Sequence, residues 1–444
     1  MKLCLMAIIC CLSVFSVAGD DNNILPFKLQ QGSLENGLQI VTVRFDSPGL
    51  VAFSILVRVG SRDEVEQGKT GFAHFFEHCM FRGTERYPSQ SYDAMMLKMA
   101  ASGNANTWFD RTYYYYTGNA GNLENMFDIE SDRFRNLKYS EHGFKTEAGA
   151  VLGEYSKNFA VPSRRMSEAL QALAFKKHTY GHTTMGYIDD IKNMPSQYSY
   201  SLEFYDRFYR PEYCTLIISG DVKHKEVMAM AAKYFGDWKR GAYVAKVPEE
   251  PAQTEARSTH LKFDGDTNMV GIYYKSPAFS DKTTNKLALD LLLEMYFSSN
   301  SEIYAELVRE KQLVQRFNIQ DWDTRDPFIV GVSANLFKVE DTAAVRTRME
   351  QAYRAMTEAP IDGKLLEQLK SRRRYSMAAQ LDRPMNVAQQ LANYIWLTGD
   401  PQTMERYYKM LAKITVADLK KAADTYFVEN GRLNISLSKE ESAR

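Results

Sequence analysis

The sequence lacks an excess of either charge, because 55 lysine and arginine residues balance 55 aspartate and glutamate residues and leave a net charge of zero. Proteins that bind nucleic acid usually carry a basic excess, so this balance argues against that class. The composition, with 45% hydrophobic and 25% charged residues, is typical of a globular protein. A length of 444 residues predicts more than one domain.

Long hydrophobic runs are also missing, except for one that extends from Leu3 to Val17. A single lysine, Lys2, precedes this run, and Ser16-Val17-Ala18 at its end resembles a small-x-small cleavage site, which is typical of a secretory signal peptide. We therefore assign residues 1–19 as a signal peptide and expect export across the inner membrane into the periplasm. The alternative is an N-terminal membrane anchor, but the run is short for a span of about 20 residues. We expect no stable membrane span after the signal is removed.

Cysteine is scarce, and three of the five cysteines (Cys4, Cys10 and Cys11) lie in the predicted signal segment. Only Cys79 and Cys214 remain, which are too few for a disulfide framework. The sequence leaves open whether these two residues pair. The fold must therefore depend on its hydrophobic core.

The rest of the chain mixes strand-like and helix-like patterns. One segment interrupts this alternation of strand-like and helix-like patterns. It contains two prolines, Pro248 and Pro251, several charged residues and few large apolar residues. We interpret residues 240–258 as a linker between domains. The predicted domains are residues 24–239 and residues 259–444.

The two halves share an internal repeat. The strand-like segment that begins at Val51 matches one at Val270, and the aromatic pair headed by Phe208 matches one headed by Tyr426. Both matches are separated by nearly the same number of positions. The chain is therefore predicted to contain two copies of one α+β unit, each of ordinary domain size.

The segment "GFAHFFEHCM" carries the strongest chemical signal. His74 and His78 are four residues apart, so on a helix both imidazoles face one point, and Glu77 borders the same point. A catalytic zinc ion needs three protein ligands and an open position, so a third ligand must come from elsewhere. Glu77 can act as the base that takes a proton from water. The order H-x-x-E-H is the inverzincin signature.

Other readings of the histidines remain open. His74 and His78 could be satisfied core residues, although a buried pair around a carboxylate favours a metal. A second pair, His178 and His182, has the same spacing, but Gly181 and the absence of an acid between them make it a poorer site. The second copy has no histidine in "LALDLLLEMYF", so the fold itself does not require the motif.

Several motifs in the first half resemble, in order and spacing, those of the pitrilysin-type (M16, inverzincin) zinc peptidases. They are "GFAHFFEHCMFRGTERYP", "GNANTWFDRTYYY" and "TEAGAVLGEYS". The family includes insulin-degrading enzyme and the mitochondrial processing peptidases, and this chain is similar to its short bacterial two-domain members. The resemblance covers most of residues 30–240 and, more weakly, the second half. It implies an α+β fold of two homologous α/β-roll domains, each with an antiparallel or mixed sheet packed with helices, which form half of a clamshell.

The resemblance also implies roles for residues outside the H-x-x-E-H motif. Glu154 matches the family's third metal ligand, and Glu147 matches the acid that supports a ligating histidine. Asn104 and Ala105 match an edge strand that pairs with extended substrate, although an ordinary hairpin turn is an alternative.

In the second half, Arg309 matches a family arginine that contacts the substrate. The family tyrosine that follows it is replaced here by Gln315. Short bacterial members often work as pairs in which one chain supplies zinc and the other supplies the arginine and tyrosine. The chain is therefore expected to form a heterodimer with such a homologue, or a homodimer.

These observations predict a zinc-dependent endopeptidase that hydrolyses peptides or unfolded segments through a metal-activated water inside a closed two-chain chamber. Zn²⁺ is favoured over manganese or cobalt by ligand type and by the resemblance. The alternative is a non-catalytic scaffold or binding subunit of a peptidase-like complex. A storage or sensor site is a third reading, but such a site needs no catalytic base.

Overall fold

The computed structural model describes residues 23–439, so the predicted signal peptide lies outside the described residues. The chain folds into two mixed sheets, each packed with helices, as the α+β prediction requires. None of the helices within 23–439 combines the length and the apolar character that a membrane crossing requires.

The first sheet contains six strands in the order β1-β2-β6-β3-β5-β4. Only β2 and β6 run parallel, and β4 forms one edge. The strands are β1 Leu29–Ser33, β2 Gln39–Arg44, β3 Leu50–Val57, β4 Ser102–Thr107, β5 Thr112–Asn119 and β6 Cys214–Gly220. The helices are α1 Phe72–Cys79, α2 Ser89–Lys98, α3 Leu123–Asn136, α4 Glu141–Phe159, α5 Pro162–Ala174, α6 Ile188–Asn193, α7 Tyr198–Phe208 and α8 His224–Phe235.

The second sheet contains five strands in the order β7-β11-β8-β10-β9. The strands are β7 Arg257–Lys262, β8 Asn268–Ser276, β9 Val314–Gln320, β10 Phe328–Leu336 and β11 Arg432–Ser438. The helices are α9 Asn285–Phe297, α10 Glu302–Tyr304, α11 Thr342–Glu358, α12 Gly363–Gln380, α13 Pro384–Thr398, α14 Thr403–Lys413 and α15 Val416–Tyr426. A π-helical turn, Ala305–Glu310, continues α10.

The internal repeat is confirmed by the two topologies. Strands β2-β6-β3-β5-β4 and β7-β11-β8-β10-β9 have the same order, and the parallel pair occupies the same position in both sheets. Helix α9 follows β8 as α1 follows β3, but it is buried along most of its length and carries no histidine. The duplication therefore builds a second scaffold without the metal-binding motif.

The linker region separates the sheets along the chain. No helix or strand is formed between Trp238 and Arg257, and β7 includes the last two residues of the predicted linker, 257 and 258. Glu250 ties this segment to the first half, because its carboxylate accepts hydrogen bonds from the backbone N–H groups of residues 176–178. The division into domains at these boundaries stays a prediction.

Direct contacts join the two halves. Helix α13 packs on strands β3 and β6 of the first sheet. The carboxylate of Asp326 accepts hydrogen bonds from Arg62 at 2.5 Å and from His178 at 3.0 Å. Tyr180 donates to Asp110 at 2.7 Å, and Asp110 also accepts the backbone N–H of Arg325. The loop between β9 and β10 is therefore held against the first half.

Cys79 and Cys214 are both buried, and no disulfide joins them. Burial raises the pKa of each thiol. Both side chains therefore behave as small core residues.

Candidate metal centre

Helix α1 is fixed at its start by a carboxylate from the preceding turn. Gly71 precedes the helix in the left-handed region at φ 89°, and a Cβ there would lie 2.3 Å from a methyl carbon of Ile191. The first N–H groups of a helix have no partner within it. The side chain of Glu64 provides hydrogen-bond acceptors here. Its carboxylate oxygens accept the backbone N–H of Gly71 at 2.8 Å and that of Ala73 at 2.7 Å.

The aromatic residues of α1 set its rotation about its axis. Phe72, Phe75 and Phe76 are buried in the core beneath the first sheet. His74 and His78 lie one turn apart, with ring centroids 4.8 Å from each other. The buried face of α1 therefore holds both imidazoles in a defined position.

Helix α4 brings two carboxylates to these imidazoles. Glu147 and Glu154 are seven residues apart, so they lie on the same face two turns from each other. Oε2 of Glu154 is 3.6 Å from Nε2 of His74 and 3.5 Å from Nε2 of His78. The ligand atoms of His74, His78 and Glu154 all lie within 4.8 Å of one another, and no other such group is formed by residues 23–439.

Glu147 supports His78 rather than joining the ligand set. Its Oε1 accepts the Nδ1–H of His78 at 2.9 Å, which leaves Nε2 of that ring free to bind a metal. This hydrogen bond raises the pKa of His78. Burial pushes the pKa of Glu147 upward, but hydrogen bonds from His78 and Arg82 outweigh it and lower the pKa.

The donor set fits zinc. Tetrahedral zinc with N and O ligands at about 2.0–2.1 Å places those ligand atoms about 3.3–3.4 Å apart. The separations of 3.5 and 3.6 Å between Glu154 and the two histidines are close to this value. Burial lowers the pKa of His74 and so favours the neutral imidazole that a metal requires. His74, His78 and Glu154 are thus the residues that would hold the ion.

Glu77 lies beside the triad with its carboxylate held in place. Thr107, at the end of β4, donates its hydroxyl to Oε2 of Glu77 at 2.7 Å. Glu77 and His74 both line a cleft that also borders Asn106, Thr107 and Glu154. The base and the metal ligands therefore open into the same space.

The predicted substrate residues occupy two different places. Asn104 and Ala105 lie in β4, an edge strand rather than a hairpin turn, and the N–H of Ala105 donates to the side chain of Asn104. Arg309 lies in the π-helical turn of the second half, stacks on Tyr304 and donates to the carbonyl of Ser299. Arg309 does not line the cleft beside His74. Gln315 is the second residue of β9 and donates to the carbonyl of Leu336 at 3.3 Å.

The rival histidine pair does not form a metal-binding group within residues 23–439. His178 pairs with Asp326, as described above, whereas His182 donates its Nδ1–H to the carbonyl of Thr183 at 2.9 Å. His182 is fully buried, and this burial lowers the pKa of its imidazole to about 4.

We expect His182 to make stability depend on pH. Above the ordinary imidazole pKa both folded and unfolded states are neutral, but as the pH falls toward 4 only the unfolded state takes the proton. The free energy of unfolding should therefore drop by about 2 kcal/mol between pH 7 and pH 5 through this residue. Urea unfolding of wild type and His182→Asn at several pH values measures the difference, since Asn can keep the donor to the Thr183 carbonyl.

His142 provides the matched control for this measurement, because it is an exposed histidine on α4. His142→Asn should retain the wild-type dependence on pH, whereas His182→Asn should flatten it. The same slope in all three proteins would show that His182 is not responsible.

Comparison with known proteins identifies the family of this chain. Residues 41–187 match the family described as "Insulinase (Peptidase family M16)", and residues 199–372 match "Peptidase M16 inactive domain". The second match begins before β6, a strand of the first sheet, so its boundary differs from the boundary between the sheets. Together the two matches span most of the chain, which therefore belongs to peptidase family M16.

Individual relatives cover nearly the full length. "Zinc protease PqqE" of Helicobacter pylori is 27% identical over 421 residues, which are 92% of this chain and 93% of the relative. A crystal structure of a protease from Helicobacter pylori has a TM-score of 0.86 and 25% identity, with 93% and 99% of the two chains covered. The first half of the periplasmic protease PqqL from Escherichia coli has a TM-score of 0.74 and 18% identity, with 94% and 92% covered.

Sequence reasoning missed the contacts that orient the site. Thr107 lies three residues after Asn104 in the same motif, but nothing in its spacing connects it with Glu77. Glu64 precedes the helix by only a few residues, and a search for a capping acid before Gly71 would have found it. Trp322 of the second half lines the cleft, and no local pattern in the sequence predicts that contact.

Proposed function

We propose that this chain is a zinc endopeptidase that hydrolyses peptides or unfolded polypeptide segments. The observation that carries the proposal is the convergence of His74, His78 and Glu154 at ligand distances beside a carboxylate, Glu77, in one cleft. The names of the relatives, which are described as zinc proteases, support the same reading.

The residues of the chain can each be given a role. Zinc bound by the triad would supply Lewis acidity to a water and to the scissile carbonyl. Glu77 accepts a proton from the attacking water and then delivers it to the leaving amine. Thr107 holds the carboxylate of Glu77 in position through its hydrogen bond. Glu147 holds the ring of His78 in the tautomer that presents Nε2.

Substrate is proposed to bind as an added strand on β4. This strand is at the edge of its sheet, and it ends at Thr107, next to the base. A peptide carbonyl can replace the side chain of Asn104 as the acceptor for the N–H of Ala105. An extended peptide would thus run along β4 toward Glu77.

A second chain is proposed to complete the enzyme. Arg309 lies outside the cleft of its own chain, and Gln315 stands where the family has a tyrosine. We propose either a homodimer or a heterodimer with a homologue that carries the arginine and tyrosine, which closes a chamber around the substrate. The relative from Escherichia coli is described as a periplasmic protease, which supports the proposal that this chain is exported to the periplasm.

Hydrolysis of a peptide mixture by the purified full-length chain tests the proposal. We expect cleavage that 1,10-phenanthroline abolishes and added zinc restores, either alone or with a homologous subunit present. Cleavage that persists in the chelator and in His74→Ala would contradict the zinc mechanism. Zinc binding without cleavage, in both the single chain and the pair, would instead favour the non-catalytic binding subunit.

A further inference from the structure

The helix of the second half that corresponds to the metal-binding helix carries charged residues at the matching positions. When "LALDLLLEMYF" is aligned with "GFAHFFEHCMF", Asp290 and Glu294 take the places of His74 and His78. Lys286 lies one turn before Asp290 on the same helix, α9. Lys286 and Asp290 are only 2% and 4% exposed. Charged side chains are buried to this extent only with partners, so the partners show what the cluster holds in place.

The ammonium group of Lys286 has partners on two elements. Its Nζ donates to Oδ1 of Asp290 at 2.6 Å and to the backbone carbonyl of Asp321 at 2.6 Å. It also lies 3.3 Å from Oδ1 of Asp323. Burial alone would lower the pKa of Lys286, but the surrounding aspartates outweigh burial and raise it, so the side chain keeps its charge. Two of the three contacts reach residues 321–327, which form the β9–β10 loop.

The other end of the cluster joins α9 to α12. The carboxylate of Glu294 accepts Nε of Arg373 at 2.7 Å and is also paired with Arg372. Helices α9 and α12 contact each other as α1 and α4 do. Ion pairs therefore connect this helix pair in the second half, whereas the first half has its metal-binding group between the corresponding helices.

The β9–β10 loop reaches the cleft of the first half. Trp322 lines the cleft that contains Glu77, and its ring centroid is 4.9 Å from that of Trp108. Asp326, at the end of the loop next to β10, is bonded to the first half as described above. Lys286 binds the end of the loop next to β9. The segment that carries Trp322 is thus fixed on both sides, once to each half of the chain.

The two halves share this connection between a helix and the end of a strand. In the first half, Thr107 at the end of β4 donates to the carboxylate of Glu77 on α1. In the second half, the residue directly after β9, Asp321, accepts from the ammonium group of Lys286 on α9. The helix supplies an acceptor in one half and a donor in the other. The second copy therefore keeps the contact although it has no histidine and no base at the matching positions.

We propose that Lys286 is a positioning residue that holds the β9–β10 loop, and with it Trp322, at the wall of the cleft. Without its ammonium group, Asp326 would still fix the far end of the loop, but the segment around Trp322 would lose its attachment to α9. A wall that shifts would misplace a bound peptide relative to Glu77. The effect on hydrolysis rests on the proposed function, whereas the attachment of the loop can be measured without it.

A double variant separates positioning from folding. Lys286→Met alone would leave Asp290 as an unpaired buried charge and so destabilise the protein. Lys286→Met/Asp290→Leu replaces both charges with apolar side chains of similar size, a change that is often neutral for stability. This variant keeps the packing of α9 and removes its contacts with the loop. Asp323→Ala removes one contact from the loop side and leaves the buried pair intact.

Hydrogen–deuterium exchange of the full chain, read by mass spectrometry, follows the backbone amides of residues 321–327. We expect exchange in this segment to be about tenfold faster in the double variant, with unchanged exchange in α9 and an unchanged unfolding midpoint. The kcat/KM for peptide hydrolysis should fall about tenfold or more, because the cleft wall is displaced. Zinc affinity should stay at the wild-type value, since the three ligand residues are untouched. Asp323→Ala should change exchange and kcat/KM in the same directions, but less.

Lys420 and Asp424 provide the matched control, because they form a pair of the same spacing on α15 with side chains 42% and 50% exposed. Lys420→Met/Asp424→Leu should leave both loop exchange and hydrolysis at wild-type values. Wild-type exchange of residues 321–327 in the double variant on α9 would overturn the inference. Faster exchange combined with wild-type kcat/KM would overturn it as well, because the loop would then have no part in hydrolysis. If the double variant unfolds at a lower temperature than wild type, Asp323→Ala carries the same comparison.

The exchange measurement also separates this inference from the proposed function. If wild type cleaves no peptide, the peptidase is contradicted, and loop exchange alone decides the role of Lys286. Faster exchange in the double variant would then keep Lys286 as the residue that positions the loop, and unchanged exchange would overturn it. If wild type cleaves peptides and the double variant cleaves them equally well without faster exchange, the peptidase stands and the inference fails.

Discussion

Replacing Glu77 with glutamine is expected to reduce peptide hydrolysis by about 10³-fold or more while the protein keeps its zinc. The substitution preserves the size of the side chain and one acceptor oxygen for the hydroxyl of Thr107, but an amide cannot accept a proton from water. Glu77 is not among the three residues whose ligand atoms converge, so the metal-binding group stays intact. Turnover on a peptide substrate and zinc content of the same sample measure the two effects.

The control for this variant is a glutamate whose loss should change neither quantity. Glu124 is exposed on α3 and pairs with Lys233 at 2.7 Å, and it does not line the cleft. Glu124→Gln should therefore keep wild-type turnover and zinc content. If Glu77→Gln were equally active, another group would have to move the proton, and the role given to Glu77 would be wrong.

Replacing Thr107 is expected to lower the rate of peptide hydrolysis, but less than Glu77→Gln does. The reason is that Thr107 only holds the carboxylate of Glu77 in position. Its hydroxyl donates to one carboxylate oxygen of Glu77 at the end of β4, the edge strand on which substrate is proposed to bind. The contact connects β4 with α1, so the strand that is proposed to align the peptide also orients the side chain of Glu77. Catalytic groups need such positioning because a misplacement of about 1 Å can cost about 100-fold in rate.

Much of the fold could be predicted from local pattern. The strand-like segment that begins at Val51 forms β3, and the repeat predicted that the second half would contain a second copy of the same unit. Buried strands and helices impose strict periodicities, so these elements leave clear traces in a sequence. The end of α2 at Lys98 is harder to predict from the sequence. The left-handed residue just after the helix, with φ of 49°, is Ala100 and not the glycine that usually marks such a position.

The site was predictable only in part for a physical reason. His74, Glu77 and His78 share one helix, so spacing alone brings them together. Glu154 is brought to them by the packing of α4 against α1, which depends on long-range contacts such as that between Phe75 and Phe144. No local pattern encodes such packing, and the choice of Glu154 depended on resemblance to a known family. The cleft wall formed by Trp322 depends on contacts between the two halves and left no signal at all.

Removing the carboxylate of Glu154 is expected to lower zinc affinity more than any other single change on α4. Glu154→Gln leaves two imidazoles and removes the negative charge that lies 3.5 Å from one and 3.6 Å from the other. Glu147→Gln keeps all three ligands and disturbs the hydrogen bonds that Glu147 accepts from His78 and Arg82, a kind of change that typically costs about 10–100-fold in metal affinity. We therefore expect a loss above about 100-fold for Glu154→Gln and a smaller loss for Glu147→Gln.

Competition with a zinc-chelating dye measures these affinities directly and does not depend on peptide hydrolysis. Glu141→Gln serves as the control, because Glu141 is exposed at the start of the same helix and pairs only with Lys145 among the described ion pairs. The expected order of zinc affinity is wild type and Glu141→Gln, then Glu147→Gln, then Glu154→Gln. An unchanged affinity in Glu154→Gln would mean that the two histidines find their third partner elsewhere, since zinc sites in proteins rarely rely on two protein ligands. Glu154 would then have no role in metal binding, and another acid in the cleft would have to complete the metal centre.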